Sequence, residues 1–420
     1  MRSIAQNSSI DANRTMDNNT RMTTFDSITI RRPALAHAYL ATLKAQPGRP
    51  IALFAPRRVG KTHFLDGDLA PAATKAGMLP VYADLWLSRK DPLAAINHAL
   101  EEALDDVTVP TTATGKAAKT PVKKVAILGN SLDFGDAPVR RPLPADPRLR
   151  LDSLITRLAS ASGKQIVLML DEVQSLAHAP QADDVIGTLR AVLQKHKKLV
   201  FSLFTGSSQE ELGAMMAVAG APMYQFAQLQ TFPNLGSEYL ELLAAHYRKV
   251  HPNKSLELAA LERMFAHLGW KPALMKDLVK AMSADGITDV NQGLTLYLAD
   301  ERNVAAWQGM FDRLLPLEQA VAVLVAHGIA PMAKATTDAL AKEPGLASTQ
   351  PKVRSAVDRL RKAQILAKPE HGGSFHLEDQ LFADYLAQKY TPHYLAKVRP
   401  TITAPTNAPK QLGNKLPTAK

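Results

Sequence analysis

The sequence predicts an α/β fold: a parallel sheet with helices on both faces, followed by an all-α segment and a helix-turn-helix with a wing. Three observations predict it. Short apolar runs alternate with helical patterns from residue 51 to 229, the order that builds parallel strands joined by crossover helices. One of those runs, Ile51-Ala52-Leu53-Phe54, passes directly into Ala55-Pro56-Arg57-Arg58-Val59-Gly60-Lys61-Thr62. From residue 311 the pattern changes to three helical stretches and two short extended pieces flanking His371-Gly372-Gly373.

Residues 1–24 are rich in Asn, Ser and Thr without periodicity, which predicts disorder. An extended start (Phe25 to Ile30) and a helix (Pro33 to Ala45) lead to the first strand. Strand, tight loop, Gly-Lys-Thr and helix is the layout of a phosphate-binding P-loop. Backbone N–H groups of such a loop point at phosphate oxygens. Lys61 would place an ammonium on the β- and γ-phosphates, and Thr62 would offer its hydroxyl to Mg²⁺. The binding stretch is Pro56, Arg57, Arg58, Val59, Gly60, Lys61, Thr62 and His63. Ala55 stands where the pattern has its first glycine, which requires φ below zero there. A capped surface helix can also begin with Gly-Lys-Thr, so the downstream motif matters.

The helix after Lys61 runs to about Ala76, Leu79 to Asp84 reads as the second strand, and a helix covers Pro92 to Leu104. Residues 105–148 read as an insertion, Thr-, Ala-, Pro- and Lys-rich, with a short strand at Val125 to Gly129. A helix (Leu149 to Ala161) then precedes Ile166-Val167-Leu168-Met169-Leu170, an apolar run ending in Asp171-Glu172. Such a run is a strand buried on both faces. Two carboxylates at its end are costly without a cation or a reacting water. Asp171 would hold Mg²⁺ and Glu172 would polarise the attacking water; the plainer alternative is a strand leaving into solvent. A helix (Ala182 to Lys195), a strand (Leu199 to Phe204) and a last strand (Met223 to Leu229) complete the sheet. Thr205-Gly206-Ser207-Ser208 follows the 199–204 strand. Its hydroxyls either sense the γ-phosphate or cap the next helix.

Bulk composition narrows the classes. The chain has 420 residues, 46% hydrophobic and 21% charged, enough for two or three soluble domains. Cysteine is absent, which excludes disulfides, thiolate metal sites and cysteine nucleophiles and suits a reducing, cytoplasmic compartment. The start lacks a secretory apolar region, and no run approaches membrane-spanning length. The net charge of +11 favours nucleic acid, acidic proteins or anionic lipid. Part of it lies in the terminal residues 396–420, read as a disordered basic tail.

Together, Arg57-Arg58-Val59-Gly60-Lys61-Thr62, Tyr82-Ala83-Asp84-Leu85-Trp86, Leu170-Asp171-Glu172-Val173-Gln174 and Phe204-Thr205-Gly206-Ser207-Ser208 resemble the AAA+/STAND-related archaeal-type P-loop ATPases, over residues 25–395. The resemblance implies that the Thr205 strand lies between the P-loop and Asp171 strands, bringing Ser207 or Ser208 near the γ-phosphate. It implies a core over 25–235, a helical lid over 236–310 and a winged helix-turn-helix over 311–395. It also implies ATP as the nucleotide. Gly269-Trp270-Lys271-Pro272 resembles the element at which such lids touch nucleotide, with one extra residue; Lys271 is either a second sensor or simply precedes a helix-start proline. Arg190 is a candidate arginine finger.

The three C-terminal helices span Leu317 to His327, Met332 to Lys342 and Gln350 to Ala363, with extended pieces at Ile365 to Lys368 and Ser374 to Leu377. Lys352, Arg354, Arg359, Arg361 and Lys362 would suit DNA contact through 350–377, although Asp358 sits among them. The functional expectation is an ATP-binding and hydrolysing switch that couples nucleotide state to the winged helix. Catalysis would rest on Lys61, Glu172, Ser207 and Arg190, with Mg²⁺ on Thr62 and Asp171. The alternatives are a nucleotide-gated DNA-binding helper with slow or no turnover, and a scaffold that holds ADP. Self-association and a protein partner are compatible with either.

Overall fold

A computed structural model describes residues 25, 28–109, 126–127, 130–131, 142–207, 209–216, 220–221, 223–343, 345–346, 348–367 and 374–391. The expected disordered start, the basic tail, most of the insertion, Ser208 and the 371–373 turn lie outside them.

Helix α1 (Pro33–Ala45) leads to strand β1 (Ile51–Phe54). Beyond the loop, α2 (Lys61–Phe64) passes through a π-helical turn (Leu65–Leu69) into α3 (Ala70–Lys75). The expected single helix is therefore interrupted, at the point where the Arg31 guanidinium bonds the Gly67 carbonyl. Next come β2 (Leu79–Asp84) and α4 (Pro92–Thr108). A two-residue pair follows, β3 (Ala126–Ile127) antiparallel to β4 (Asn130–Ser131). Helix α5 (Pro147–Ser162) starts on Pro147, with the Asp146 carboxylate capping the amides of Arg148 and Leu149. Strand β5 (Ile166–Asp171), α6 (Ala182–Lys195), β6 (Val200–Gly206), α7 (Gln209–Met216) and β7 (Gln228–Thr231) finish this half.

The last strand differs from expectation. Met223 to Phe226 form turns, closed by Tyr224 N–H to Ala221 and Phe226 N–H to Met223 hydrogen bonds. Their apolar side chains are core, but the strand begins only at Gln228.

The five long strands form one parallel sheet in the order β2-β5-β6-β1-β7. Alternation along each strand feeds two layers. Ala52, Leu168, Leu170 and Phe204 face one layer with α4, α5 and α6 residues, whereas Ile51, Leu53, Val167, Met169 and Leu203 face the other with α1 to α3 residues. Each large buried side chain contributes roughly 1.5–3 kcal/mol. The order places β6 between β1 and β5, as the resemblance implied, so the C-terminal ends of all three converge.

Helices α8 (Ser237–Val250), α9 (Leu258–His267), α10 (Pro272–Asp285), α11 (Val290–Ala299) and α12 (Glu301–Asp312) follow. They share one hydrophobic cluster with α13 (Pro316–Ala326), α14 (Lys334–Ala341), α15 (Gln350–Lys362) and α16 (Gln380–Lys389). Between α15 and α16, β8 (Leu366–Ala367) pairs antiparallel with β9 (His376–Leu377). Three helices and a hairpin reproduce the expected winged arrangement, on a core continuous with the preceding helices.

Candidate nucleotide site at the strand ends

The loop between β1 and α2 holds two residues in the left-handed region, Arg58 (φ 64) and Gly60 (φ 91). Ala55 is not among the positive-φ residues, so alanine is tolerated there. Val59, 6% exposed, anchors the loop in the core. A side chain at Gly60 would meet nothing within 4 Å, so the space above the loop is open. Lys61 is only 6% exposed. Its ammonium donates to the carbonyls of Ala55 (2.6 Å) and Pro56 (2.9 Å), which leaves one of its three donors without a hydrogen-bond acceptor among the described residues. Burial lowers the Lys61 pKa, and the charges of Glu172 and then Asp171 oppose that shift. His63 is exposed on α2, with its ring on the side of Gly67.

Asp171 closes β5 and is 4% exposed. Thr62 Oγ1 donates to its Oδ2 at 2.6 Å, across 109 residues of sequence. Tyr82 Oη donates to the same oxygen at 3.2 Å. Thr205 Oγ1 and the Glu172 amide donate to Oδ1. Burial and the Asp171 charge push the Tyr82 hydroxyl well above its ordinary pKa, so it stays a neutral donor. Tyr82 stands in the Tyr82–Trp86 stretch of the resemblance, where its hydroxyl is given no role. It pairs with Met169 in the β2–β5 register, two residues before Asp171.

Glu172 is itself left-handed (φ 57). Ser207 Oγ donates to its Oε2 at 2.6 Å, and the Gln174 amide donates to the same oxygen. Lys61, Thr62, Asp171, Glu172 and Ser207 are thus brought together. Arg57 joins them: its guanidinium lies 4.1 Å from the Trp86 ring, which Arg89 also approaches at 4.1 Å. Burial pulls the Arg57 pKa down, and Glu172 is the largest opposing charge.

Three other expected positions face elsewhere. Arg190 lies over the Phe226 ring, 5.4 Å from its centroid. Arg58 reaches Asp379 at 3.1 Å. Lys271 precedes the helix-start Pro272 of α10 and spends its ammonium on the carbonyl and carboxylate of Glu378. The extra residue before it, Trp270, takes a left-handed turn (φ 57).

The chemistry of the donors fits a magnesium polyphosphate. One carboxylate and one hydroxyl adjoin beneath open space, and the described residues hold no cluster of three or more acidic or histidine side chains. Mg²⁺ characteristically takes one or two protein carboxylates and fills its remaining positions from phosphate and water.

No family model matches the sequence, and no curated protein matches it. Solved structures do. A Walker-type ATPase of Pyrococcus abyssi superposes with a TM-score of 0.52 at 14% identity, covering 87% of this chain and 97% of that one. The ORC2 protein of Aeropyrum pernix gives 0.47 at 16% identity, covering 84% and 90%. Cdc6p of Pyrobaculum aerophilum gives 0.39 at 13% identity, covering 87% and 97%. The likeness to the Walker-type ATPase is one of fold, over nearly the whole of both chains. No described helix is long and apolar enough to cross a membrane.

Proposed function

We propose that this chain, built on the fold of a Walker-type ATPase, binds ATP with Mg²⁺ at the ends of β1, β5 and β6 and hydrolyses it to ADP and phosphate. The observation that carries the reading is the Thr62–Asp171 contact, 2.6 Å long, beside the Lys61 ammonium and Glu172. Two short motifs far apart in sequence meet as one charged cleft, although buried charge is costly to assemble without a purpose.

In this reading the loop amides and Lys61 bind the β- and γ-phosphates. Thr62 and Asp171 hold Mg²⁺, which would neutralise phosphate charge. Glu172 orients the attacking water, and Ser207 lies beside it near the γ-phosphate. Catalysis is then positioning and charge stabilisation. Arg57, held against Trp86, adds positive charge on the Glu172 side. Arg190 would act only if a rearrangement or a neighbouring copy carried it to the phosphates.

Nucleotide state would reach the winged helix through Glu378 and Asp379. This dipeptide binds the P-loop at Arg58 and the lid at Lys271, so a polyanion in the loop competes directly with the Asp379 carboxylate.

The test is ATP binding and phosphate release by the full chain. Lys61→Ala should lose ATP binding, and Glu172→Gln should bind ATP yet hardly turn it over. Equal turnover by Glu172→Gln and wild type would remove the catalytic assignment.

A second reading, nucleotide-gated DNA binding, draws on the exposed Lys352, Arg354 and Lys362 of α15. On the same helix Arg359 binds Glu318 and Arg361 lies 3.7 Å from Asp358. A steep salt dependence of DNA affinity, reduced by Arg354→Ala, would support it; no binding at low salt would exclude it.

A further inference from the structure

Gln174 takes no part in the reading above, yet its side chain sits behind the water-orienting carboxylate. It is 2% exposed. Its Nε2 donates both to Glu172 Oε2 and, at 3.2 Å, to Ser207 Oγ. Ser207 in turn donates to the same Glu172 oxygen at 2.6 Å. The three side chains form a closed triangle joining the end of β5 to the end of β6.

Two further observations show what sets the amide's orientation. Its other end, Oε1, is buried without a hydrogen-bond partner among the described residues. Turning the amide round would place that oxygen against the Glu172 carboxylate and forfeit both donations, so the carboxylate dictates the orientation. A buried orphan acceptor is uncommon in a native fold and calls for a compensating role. The second observation is Gly206. Its φ is not positive, so glycine is not there for conformation. A Cβ at Gly206 would fall 2.6 Å from Gln174 Oε1 and 2.7 Å from a Leu212 methyl. The missing side chain is the notch that admits the amide.

We propose that Gln174 is a positioning residue: it locks Glu172 and Ser207 into one unit aimed at the P-loop, and Gly206 supplies the space that makes the lock possible. Glu172 needs lateral support because it is a single left-handed residue between β5 and the short 3₁₀ segment Val173–His178. Its carboxylate is also the largest attractive charge acting on Lys61 and Arg57.

This inference rests on Glu172 as the water-orienting carboxylate, and the experiment separates the two. Phosphate release, ATP affinity and thermal stability are measured on the full chain for wild type, Gln174→Met, Gly206→Ala, Glu172→Gln and the Glu172→Gln/Gln174→Met double variant. Met has similar length, no donor and no orphan oxygen. Gln174→Met should lower turnover about tenfold or more, as small misplacements of a reacting group do, with ATP affinity and melting temperature held near wild type. Gly206→Ala should reproduce the turnover loss by displacing the amide. In the Glu172→Gln background, Gln174→Met should cost nothing further, because residues acting as a unit are non-additive. Turnover of Gln174→Met equal to wild type would overturn the proposal, as would the same fractional loss in both backgrounds or a loss that merely tracks stability. If Glu172→Gln alone turns over like wild type, the catalytic reading fails first and takes the positioning role with it.

Discussion

The cleft at the strand ends and the seam between P-loop and winged helix both use charge, in opposite ways. In the cleft, Asp171 is 4% exposed and takes its hydrogen bonds from the hydroxyls of Thr62, Tyr82 and Thr205 and an amide. All four donors are neutral, so they fix the carboxylate without cancelling its charge. At the seam each charge already has a counter-charge. Arg58 meets Asp379 with side chains 56% and 25% exposed, and Lys271 meets Glu378. The lesson is one of preorganisation. In the proposed reading the cleft carboxylate would take an external cation, whereas the seam is already paired internally and its Asp379 carboxylate would give way to an incoming anion.

The contrast breaks most sharply at Asp171. Asp171→Asn keeps the shape but removes the uncancelled charge. Divalent-ion binding, followed by Mn²⁺ titration in the presence of ATP, should weaken by about 100-fold or more, beyond the range for losing an outer partner of a metal ligand. Retained Mn²⁺ affinity would show that the ion is held elsewhere. Tyr82→Phe probes the hydroxyl support and should weaken Mn²⁺ binding by roughly tenfold, leaving metal-free ATP affinity and folding close to wild type. An unchanged Mn²⁺ affinity would reduce Tyr82 to packing.

The seam should respond least. Arg58–Asp379 is half-exposed and worth about 1 kcal/mol or less, so Asp379→Asn should alter protease sensitivity between core and winged helix only at low salt. Asp379 also caps the amides of Leu381 and Phe382, and asparagine preserves that cap. A separate pair, His267 of α9 with Asp384 of α16 at 2.8 Å, should respond to pH. The bond to Asp384 raises the His267 pKa. Stability from a raised histidine is fully present below its unfolded value of about 6.5 and is lost as pH rises through the higher folded value. The α9–α16 contact should therefore loosen slightly more readily in mildly alkaline than in mildly acidic buffer. His267→Gln should flatten that dependence in a proteolysis series, and an identical slope in the variant would assign it to another group.

Much of the cleft was legible because its parts are contiguous in sequence: a strand into Gly60-Lys61-Thr62, a buried run into Asp171-Glu172, a strand into Thr205-Gly206-Ser207. Each announces itself by an apolar run that stops abruptly at polar residues. The parts missed depend on pairing between segments. Tyr82 looks like any strand tyrosine until the β2–β5 register sets it beside Asp171. Gln174 looks like a helix-start residue until Gly206 opens a notch for it. The sequence hints were its place in the Leu170–Gln174 stretch and that small glycine at the end of the adjacent strand. The seam was the least accessible. Arg58 and Asp379 lie 321 residues apart, and no local period links a loop arginine to the cap of a helix in another layer. Apolar content also misled once: Met223 and Phe226 are core residues, but a turn suffices to bury them.

The stack of Arg57, Trp86 and Arg89 has a practical consequence. The chain has only 3 tryptophans, and they are well separated. Trp86 lies against the P-loop arginine, Trp270 precedes the lid lysine and packs on Phe265, and Trp307 contacts Tyr385 of α16. The core therefore carries one native fluorophore and the following helical segment two, of which Trp307 also touches α16. Phenylalanine replacements at two of the three would leave a single emitter reporting when one region moves, with no dye attached.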